Sequence, residues 1–251
     1  MPHDHAIQCI HDPILVLLSF LVAALGSFTA LQVAVGIPAA RTTAQRWQAI
    51  SAGGVALGAG AIWSMHFIAM LACKMDIPVT YDLGLTVLSA VIAAAACMAG
   101  LAIAGMGVFG WGKLVLAGLF MGLGVAGMHY TGMAAMRMPA TTHYDLGIVG
   151  ISIVIAVVAS TVALWLAFNL RGWVQMLGSA LVMGVAVCGM HYTGMYAAQF
   201  MPTGEDAALS TVGGLGGEYL GMGVFAVATV LLTVMLVMTM QRRQKRAAVS
   251  I

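Results

Sequence analysis

Charged residues are scarce in this chain of 251 residues: aspartate, glutamate, lysine and arginine together make up 7% of it, whereas hydrophobic residues make up 62%. An ordinary soluble domain carries about 25% charged residues, so this composition excludes a water-soluble globular protein. The mean hydropathy of +1.02 agrees with that exclusion. The apolar runs are continuous and do not alternate with polar residues, which favours membrane-spanning helices over the strands of a β-barrel.

Several chemical motifs are also missing. The four cysteines form no Cys-x-x-Cys pair, so neither a zinc-ribbon nor a thioredoxin motif is present. Cys9 and Cys73 fall near the same predicted membrane face and could meet as a disulfide, but free thiols are the expectation. No carboxylate, nucleophile–base pair or nucleotide-binding motif lies within the apolar runs, so we predict that the chain is not an enzyme. The net charge of +2 gives no indication of nucleic-acid binding, and none is predicted.

The apolar residues that are present fall into seven stretches, each long enough at about 1.5 Å per residue to cross a hydrocarbon core of roughly 30 Å. They are 14–40, 47–73, 83–109, 114–136, 146–170, 173–201 and 219–240. The sequence therefore predicts an all-α polytopic membrane protein with seven transmembrane helices. The predicted segments are an outer N-terminal segment (1–12), a six-helix domain (13–204), an outer loop with a seventh helix (205–240) and a basic cytoplasmic tail (241–251).

The basic residues define the orientation, because lysine and arginine collect on the cytoplasmic side of a membrane protein. With the N-terminus outside, eight basic residues lie inside and only Lys74 and Arg137 lie outside. All eight acidic residues then lie outside as well. Residues 1–12 lack the basic start of a signal peptide, so the first apolar stretch is predicted to be a retained helix. We expect a multi-pass protein of the bacterial inner membrane, with its lipid bilayer as the first partner.

One short motif occurs three times, as Met-His-Phe at 65–67 and as Met-His-Tyr-Thr at 128–131 and 190–193. The histidines are 63 and 62 residues apart, and each lies near the outer end of predicted helix 2, 4 or 6. Each is followed four residues later by a methionine on the same helix face. The fold is thus predicted to contain three repeated two-helix units plus a final helix. The candidate metal ligands are Met65, His66, Met70, Met128, His129, Met133, Met190, His191 and Met195.

This layer combines imidazole and thioether donors and contains no carboxylate, which suits a soft monovalent ion such as Cu(I). A zinc site would normally include thiolate or carboxylate. Cys188 lies three residues before His191 and could add a thiolate, but Ala126 stands at the matched place in the second copy. A single buried histidine is most often a hydrogen-bonding residue between helices. Three at one depth, each with the same methionines, indicate a functional layer.

From His11-Asp12-Pro13 through the three motifs to the sixth helix, the chain resembles the MHYT integral membrane sensor domain of bacteria. The second and third motifs match the name letter for letter, whereas Phe67 replaces the tyrosine in the first. The resemblance implies a sensor of oxygen, CO, NO or redox state that holds copper through Met, His and Tyr near the outer face. It implies cofactor contacts for Tyr130 and Tyr192. Family members often carry cytoplasmic cyclase, phosphodiesterase or kinase domains, and this chain is expected to signal through a separate partner.

Other interpretations stay open at this point. Tyr130 and Tyr192 could bind the metal, hydrogen-bond a bound gas, or anchor the helices at the membrane interface. Intramembrane histidines also suit a copper or proton transporter or an accessory protein, although the inner halves of helices 2, 4 and 6 hold no ionisable residue to continue a path. A haem-binding electron-transfer protein, with two of the histidines as axial ligands, is a further alternative.

Overall fold

The computed structural model describes residues 6–107, 110–169, 172–204, 206, 210–230, 233 and 237. Within them, six helices are long and apolar enough to cross a membrane, and a shorter apolar helix follows. The helices are α1 (Pro13–Ala34), α2 (Thr43–Ala72), α3 (Leu83–Gly105), α4 (Trp111–Ala134), α5 (Leu146–Asn169), α6 (Trp173–Tyr196) and α7 (Gly217–Val230). The predicted all-α polytopic fold is confirmed. Most of the predicted seventh span beyond Val230 and the basic tail lie outside the described residues.

Seven short strands gather at one end of the bundle, here called the strand end, and the sequence prediction did not include them. They are β1 (Ile10–His11), β2 (Cys73–Lys74), β3 (Thr80–Tyr81), β4 (Met136–Arg137), β5 (Ala140–Tyr144), β6 (Ala198–Pro202) and β7 (Leu215–Gly216). The predicted sixth span of 173–201 was therefore too long, because the apolar residues of β6 follow α6 without a polar break. The first span was too long as well, since turns follow Ala34.

Each pair of helices is closed by its own antiparallel strand pair. β1 pairs with β2, β3 with β4, and β5 with β6, so the residues before each odd-numbered helix meet those after the next even-numbered one. β7 joins the same ladder as β3, which brings the start of α7 to this end of the bundle. Three matched units result, α1–α2, α3–α4 and α5–α6, and α1 closes the ring by packing beside α6.

An aspartate begins each of these units at the N-cap of its first helix. A carboxylate there satisfies backbone N–H groups that have no partner within the helix. The N–H···O distances are 2.9 Å from Ile14 to Asp12, 2.9 Å from Leu85 to Asp82 and 2.8 Å from Gly147 to Asp145. Asp82 also forms an ion pair with Arg137. The backbone hydrogen bond from Leu85 and, after it, the hydrogen bond from Arg137 hold the pKa of the Asp82 carboxyl below its usual value. The three capped helix starts therefore share one geometry.

Glycines at matched positions let each even-numbered helix lie close against the next odd-numbered one. A Cβ added at Gly58 of α2 would lie 2.4 Å from the Ala93 carbonyl oxygen of α3, and one at Gly122 of α4 would lie 2.5 Å from Val157 Cα of α5. The third match, Gly184 of α6, faces α1. Small residues of this kind permit close helix packing in membranes. The contacts bring the three motif helices to the inside of the ring.

The helix α2 contains a π-helical segment from Ala56 to Trp63. A π-bulge accommodates one extra residue within an α-helix. The sequence carries this insertion, because Trp47 precedes His66 by 19 residues whereas Trp111 precedes His129 by 18. The segment therefore keeps both ends of α2 in register with the matched helices despite the additional residue.

A disulfide joins Cys9 to Cys73, with their Cα atoms 5.2 Å apart. The prediction of free thiols is therefore wrong for this pair. The reason is the β1–β2 ladder, which sets His11 opposite Cys73 and holds the N-terminal strand against the end of α2. Cys97 and Cys188 are free thiols, as predicted.

Candidate metal centre

The imidazoles of His66, His129 and His191 meet in one fully buried cluster, here called the triad. They come from α2, α4 and α6, one from each unit. The ring centroids are 5.0, 5.0 and 5.1 Å apart, so the rings form a nearly equilateral triangle. The shared depth and direction of the three motif helices therefore lead to the convergence that the sequence suggested.

The rings turn their Nδ1 atoms towards one another. The distance from His66 Nδ1 is 3.0 Å to His191 Nδ1 and 3.2 Å to His129 Nδ1. A neutral imidazole carries one N–H group, so a facing nitrogen either donates or accepts and cannot do both. The three Nε2 atoms are buried and find no hydrogen-bond partner among the described residues. Whatever the tautomers, some buried nitrogens of the triad stay unsatisfied when only protons are available.

A cation at the centre would satisfy the three facing Nδ1 atoms, because it accepts all three lone pairs, with each proton then on an Nε2 atom that has no acceptor among the described residues. Facing nitrogens 3.0 and 3.2 Å apart fit an ion at the metal–imidazole distance of about 2 Å after a small outward movement. In the part of the chain that the structure describes, the triad is the one cluster of histidine, cysteine or acidic residues suited to a metal. Its donors are all neutral, which favours a monovalent ion in this buried setting.

Two of the three Nε2 atoms, those of His66 and His129, lie against glycines on the neighbouring motif helix. A Cβ added at Gly132 of α4 would lie 2.3 Å from His66 Nε2, and one at Gly194 of α6 would lie 2.3 Å from His129 Nε2. Both glycines follow their own histidine by three residues. They leave the space in which the imidazoles turn inwards, and the sequence analysis did not include them.

The six methionines of the motifs are all buried, and two of them reach described cavities. Met190 lines an apolar cavity on the side of the triad away from the strands. Met195 lines a cavity of about 510 Å³ at the strand end, together with His11 and Tyr192. The remaining four are Met65, Met70, Met128 and Met133. Metal ligation by any of the six remains a prediction.

The phenols of Tyr130 and Tyr192 point to serines of the next unit. Tyr130 Oη lies 2.7 Å from Ser152 Oγ, and Tyr192 Oη lies 3.5 Å from Ser19 Oγ. The contact of each aromatic ring with its adjacent triad ring is edge-on. The hydroxyls therefore link units to one another in this structure, and a direct role in binding a cofactor stays a prediction.

The first repeat keeps this link although Phe67 has no hydroxyl. There the indole Nε1 of Trp63 donates to Ser89 Oγ at 3.0 Å. The three serines occupy one position, seven residues after each capping aspartate, and are fully buried: Ser19, Ser89 and Ser152. This spacing is visible in the sequence and was not used in the prediction.

The aromatic residues after the triad histidines also close the ring of units. Phe67 packs edge-on against Tyr81 at 6.0 Å, and Tyr130 packs against Tyr144 at 5.7 Å. At the third seam Tyr192 meets His11 at 5.4 Å, so an imidazole replaces the tyrosine found at the other two. Burial raises the pKa of Tyr81 and of Tyr144, which keeps both phenols neutral.

Apolar layers line the axis of the bundle on the other side of the triad. The cavity that Met190 lines is also lined by Ile62, Val125 and Val187, each one helical turn below its triad histidine. Leu57 and Met183 lie deeper, where a second cavity is lined only by alanine, leucine and methionine. The lining of these two cavities includes no ionisable side chain.

The chain matches the family model of the MHYT repeat, described as a bacterial signalling protein N-terminal repeat, at residues 60–117, 122–180 and 184–250. It is 43% identical over 229 residues, 89% of this chain, to the bifunctional diguanylate cyclase/cyclic di-GMP phosphodiesterase MucR of Pseudomonas aeruginosa. It is 40% identical over 197 residues, 76% of this chain, to the cyclic di-GMP phosphodiesterase NbdA of the same organism.

The signaling protein YkoW of Bacillus subtilis is 29% identical over 201 residues, 77% of this chain. The chain spans 32% of MucR and 25% each of NbdA and YkoW. No solved structure matches it. Each family match begins shortly before a triad histidine, so each matched repeat contains one copy of the motif, and the chain belongs to the MHYT family of bacterial signalling-protein repeats.

Proposed function

We propose that this chain is the sensor part of a membrane signalling system and that its detector is a copper ion held by His66, His129 and His191. The observation that carries the proposal is the set of three Nδ1 atoms facing one point inside the membrane domain. One N–H group can satisfy only one pair of the three facing Nδ1 atoms, whereas one cation would bind all three. The neutral donors favour Cu(I) over zinc.

Bound there, copper would supply a coordination position for O₂, CO or NO and an electron for redox sensing. The chain's own residues provide the surroundings of that position. The triad rings are held between α2, α4 and α6, and the phenols of Tyr130 and Tyr192 fix the rings beside them through Ser152 and Ser19. Apolar side chains below the triad keep water away. Methionines on both sides offer further soft donors.

The packing gives less support to the other functions. A transporter needs polar or ionisable groups along its path, and the described cavities below the triad are apolar except for the hydroxyl of Ser160. A haem held by two of the histidines needs a slot for its macrocycle between their rings. The facing nitrogens are only 3.0 and 3.2 Å apart, which leaves no such slot. No catalytic role is proposed.

The output is proposed to pass to a partner through movement of the motif helices. The names of MucR and NbdA include cyclic di-GMP synthesis or hydrolysis, so a partner that makes or degrades this nucleotide is the first candidate for this chain as well. Because the triad joins α2, α4 and α6, a change at the metal alters the spacing of all three helices at once. These helices carry that change to the end of the bundle opposite the strands.

The test is the metal content of the purified protein. We expect copper to copurify with the wild-type chain, and His66→Ala, His129→Ala and His191→Ala each to reduce the copper retained, because each removes one of the three nitrogen donors. His143→Ala is the control, since this histidine lies on β5 and outside the triad. Elemental analysis gives the copper-to-protein ratio. Zinc instead of copper, or a Soret band from bound haem, would contradict the proposal.

The orientation is proposed to place the strand end outside the cytoplasm of a bacterial inner membrane. The distribution of basic residues supports it, as does the Cys9–Cys73 disulfide at this end, since such bonds persist in oxidising compartments. Reporter fusions at residues 8 and 248 should report opposite compartments, with residue 8 outside. Equal signals from the two fusions would exclude this topology.

A further inference from the structure

The three helix pairs carry different residues at one equivalent contact between their two helices. In each pair, the residue fourteen positions after the capping aspartate faces the residue five positions before the triad histidine. A Cβ added at Gly26 of α1 would lie 2.6 Å from Ala61 Cβ of α2, and one at Gly124 of α4 would lie 2.3 Å from Ala96 Cβ of α3. In both pairs a glycine lets the two helices touch. These two seams are closed.

The third pair carries alanine on both sides, Ala159 on α5 and Ala186 on α6. With a methyl group on each helix, the close approach of the other pairs is not available. A cavity of about 320 Å³ opens at this seam, lined by apolar residues that include Val154, Val158 and Val182. These three valines lie on the exposed, lipid-facing surface of the bundle. The cavity is therefore open to the bilayer.

A second, inner cavity continues from this one towards the triad. The two share Ala159, Met183 and Ala186 in their lining. The inner cavity ends at Val187 and Met190, the latter adjacent in sequence to His191. It encloses about 20 Å³, against the roughly 10–15 Å³ that one water molecule needs. Apolar cavities of this kind stay dry and accept small uncharged molecules.

We propose that the seam between α5 and α6 is a passage by which small uncharged molecules, such as diatomic gases, reach the triad from the lipid phase. The passage is specific to the third unit, because only there does the matched pair lack a glycine. Its lining is apolar apart from the hydroxyl of Ser160 and contains no charged group that would hold an ion. The passage itself does not depend on a metal, but its role as the route to a detector rests on the proposed function.

The first measurement uses dissolved O₂ as the probe, on metal-free protein with labelled methyl groups in lipid nanodiscs. O₂ is paramagnetic and speeds the relaxation of the methyl groups that it approaches. We expect strong enhancement at Val187 and Met190 and weak enhancement at Ile50, which is equally buried but lines neither cavity. Equal enhancement at Ile50 and Met190 would overturn the passage.

The second measurement uses a variant in which a larger side chain fills the passage. Ala186 is half-buried and lines both cavities, so leucine in its place extends into the passage. Ala186→Leu should lower the enhancement at Met190 several-fold, whereas Ala95→Leu, on the exposed face of α3, should leave it unchanged. The rate of CO binding to copper-loaded protein, followed by infrared absorption, should fall in the same variant. If the purified protein holds no copper, the proposed function fails, but the O₂ relaxation data still test whether the passage exists. An unchanged relaxation enhancement at Met190 in Ala186→Leu would overturn the passage.

Discussion

Gly194→Ala is expected to displace His129 and to abolish copper retention. The new Cβ would lie 2.3 Å from His129 Nε2, closer than any real contact, and the ring cannot retreat because its Nδ1 already faces His66 at 3.2 Å. Overpacking in a buried site destabilises a protein by about 1–3 kcal/mol. Elemental analysis of the purified variant measures the copper, and thermal unfolding in detergent measures the loss of stability.

Gly189→Ala is the matched control. It lies on the same helix five residues earlier and is exposed, and a Cβ there would meet nothing within 4 Å. Alanine is a better helix former than glycine, by about 1 kcal/mol in soluble hosts, so no loss of stability is expected. Gly132→Ala should repeat the Gly194 result through His66. Full copper retention by Gly194→Ala would show that the imidazoles do not turn inwards as described.

The helices and the layer of histidines could be predicted because both leave strong patterns in the sequence. Continuous apolar runs bounded by charges indicate membrane spans, and the regular spacing of His66, His129 and His191 places them at one depth. Which nitrogen of each ring faces the centre could not be predicted. For His66 and His129 that choice depends on Gly132 and Gly194, whose lack of a side chain has an effect only once the helices are packed.

The strand end was missed for a different reason. Ladders of two to five residues, such as β1 and β2, are set by backbone pairing and leave no periodic pattern of side chains. Without them, the sequence places Cys9 and Cys73 near the same membrane face but gives no reason for the two residues to pair. The serines that hold Tyr130 and Tyr192 could have been found, because the matched spacing from the capping aspartates is regular.

Loss of the Cys9–Cys73 disulfide is expected to lower the free energy of unfolding by about 4 kcal/mol, since the bond closes a loop of 64 residues in the unfolded chain. Cys9→Ser with Cys73→Ser should show a lower midpoint of thermal unfolding in detergent, and reduction of the wild type should give the same shift. The bond also anchors β1, so its loss should loosen His11 from Tyr192. The double variant should no longer respond to reductant, and Cys188→Ala should respond as the wild type does. A wild-type midpoint that stays constant after mass spectrometry has verified reduction would contradict this stabilising role.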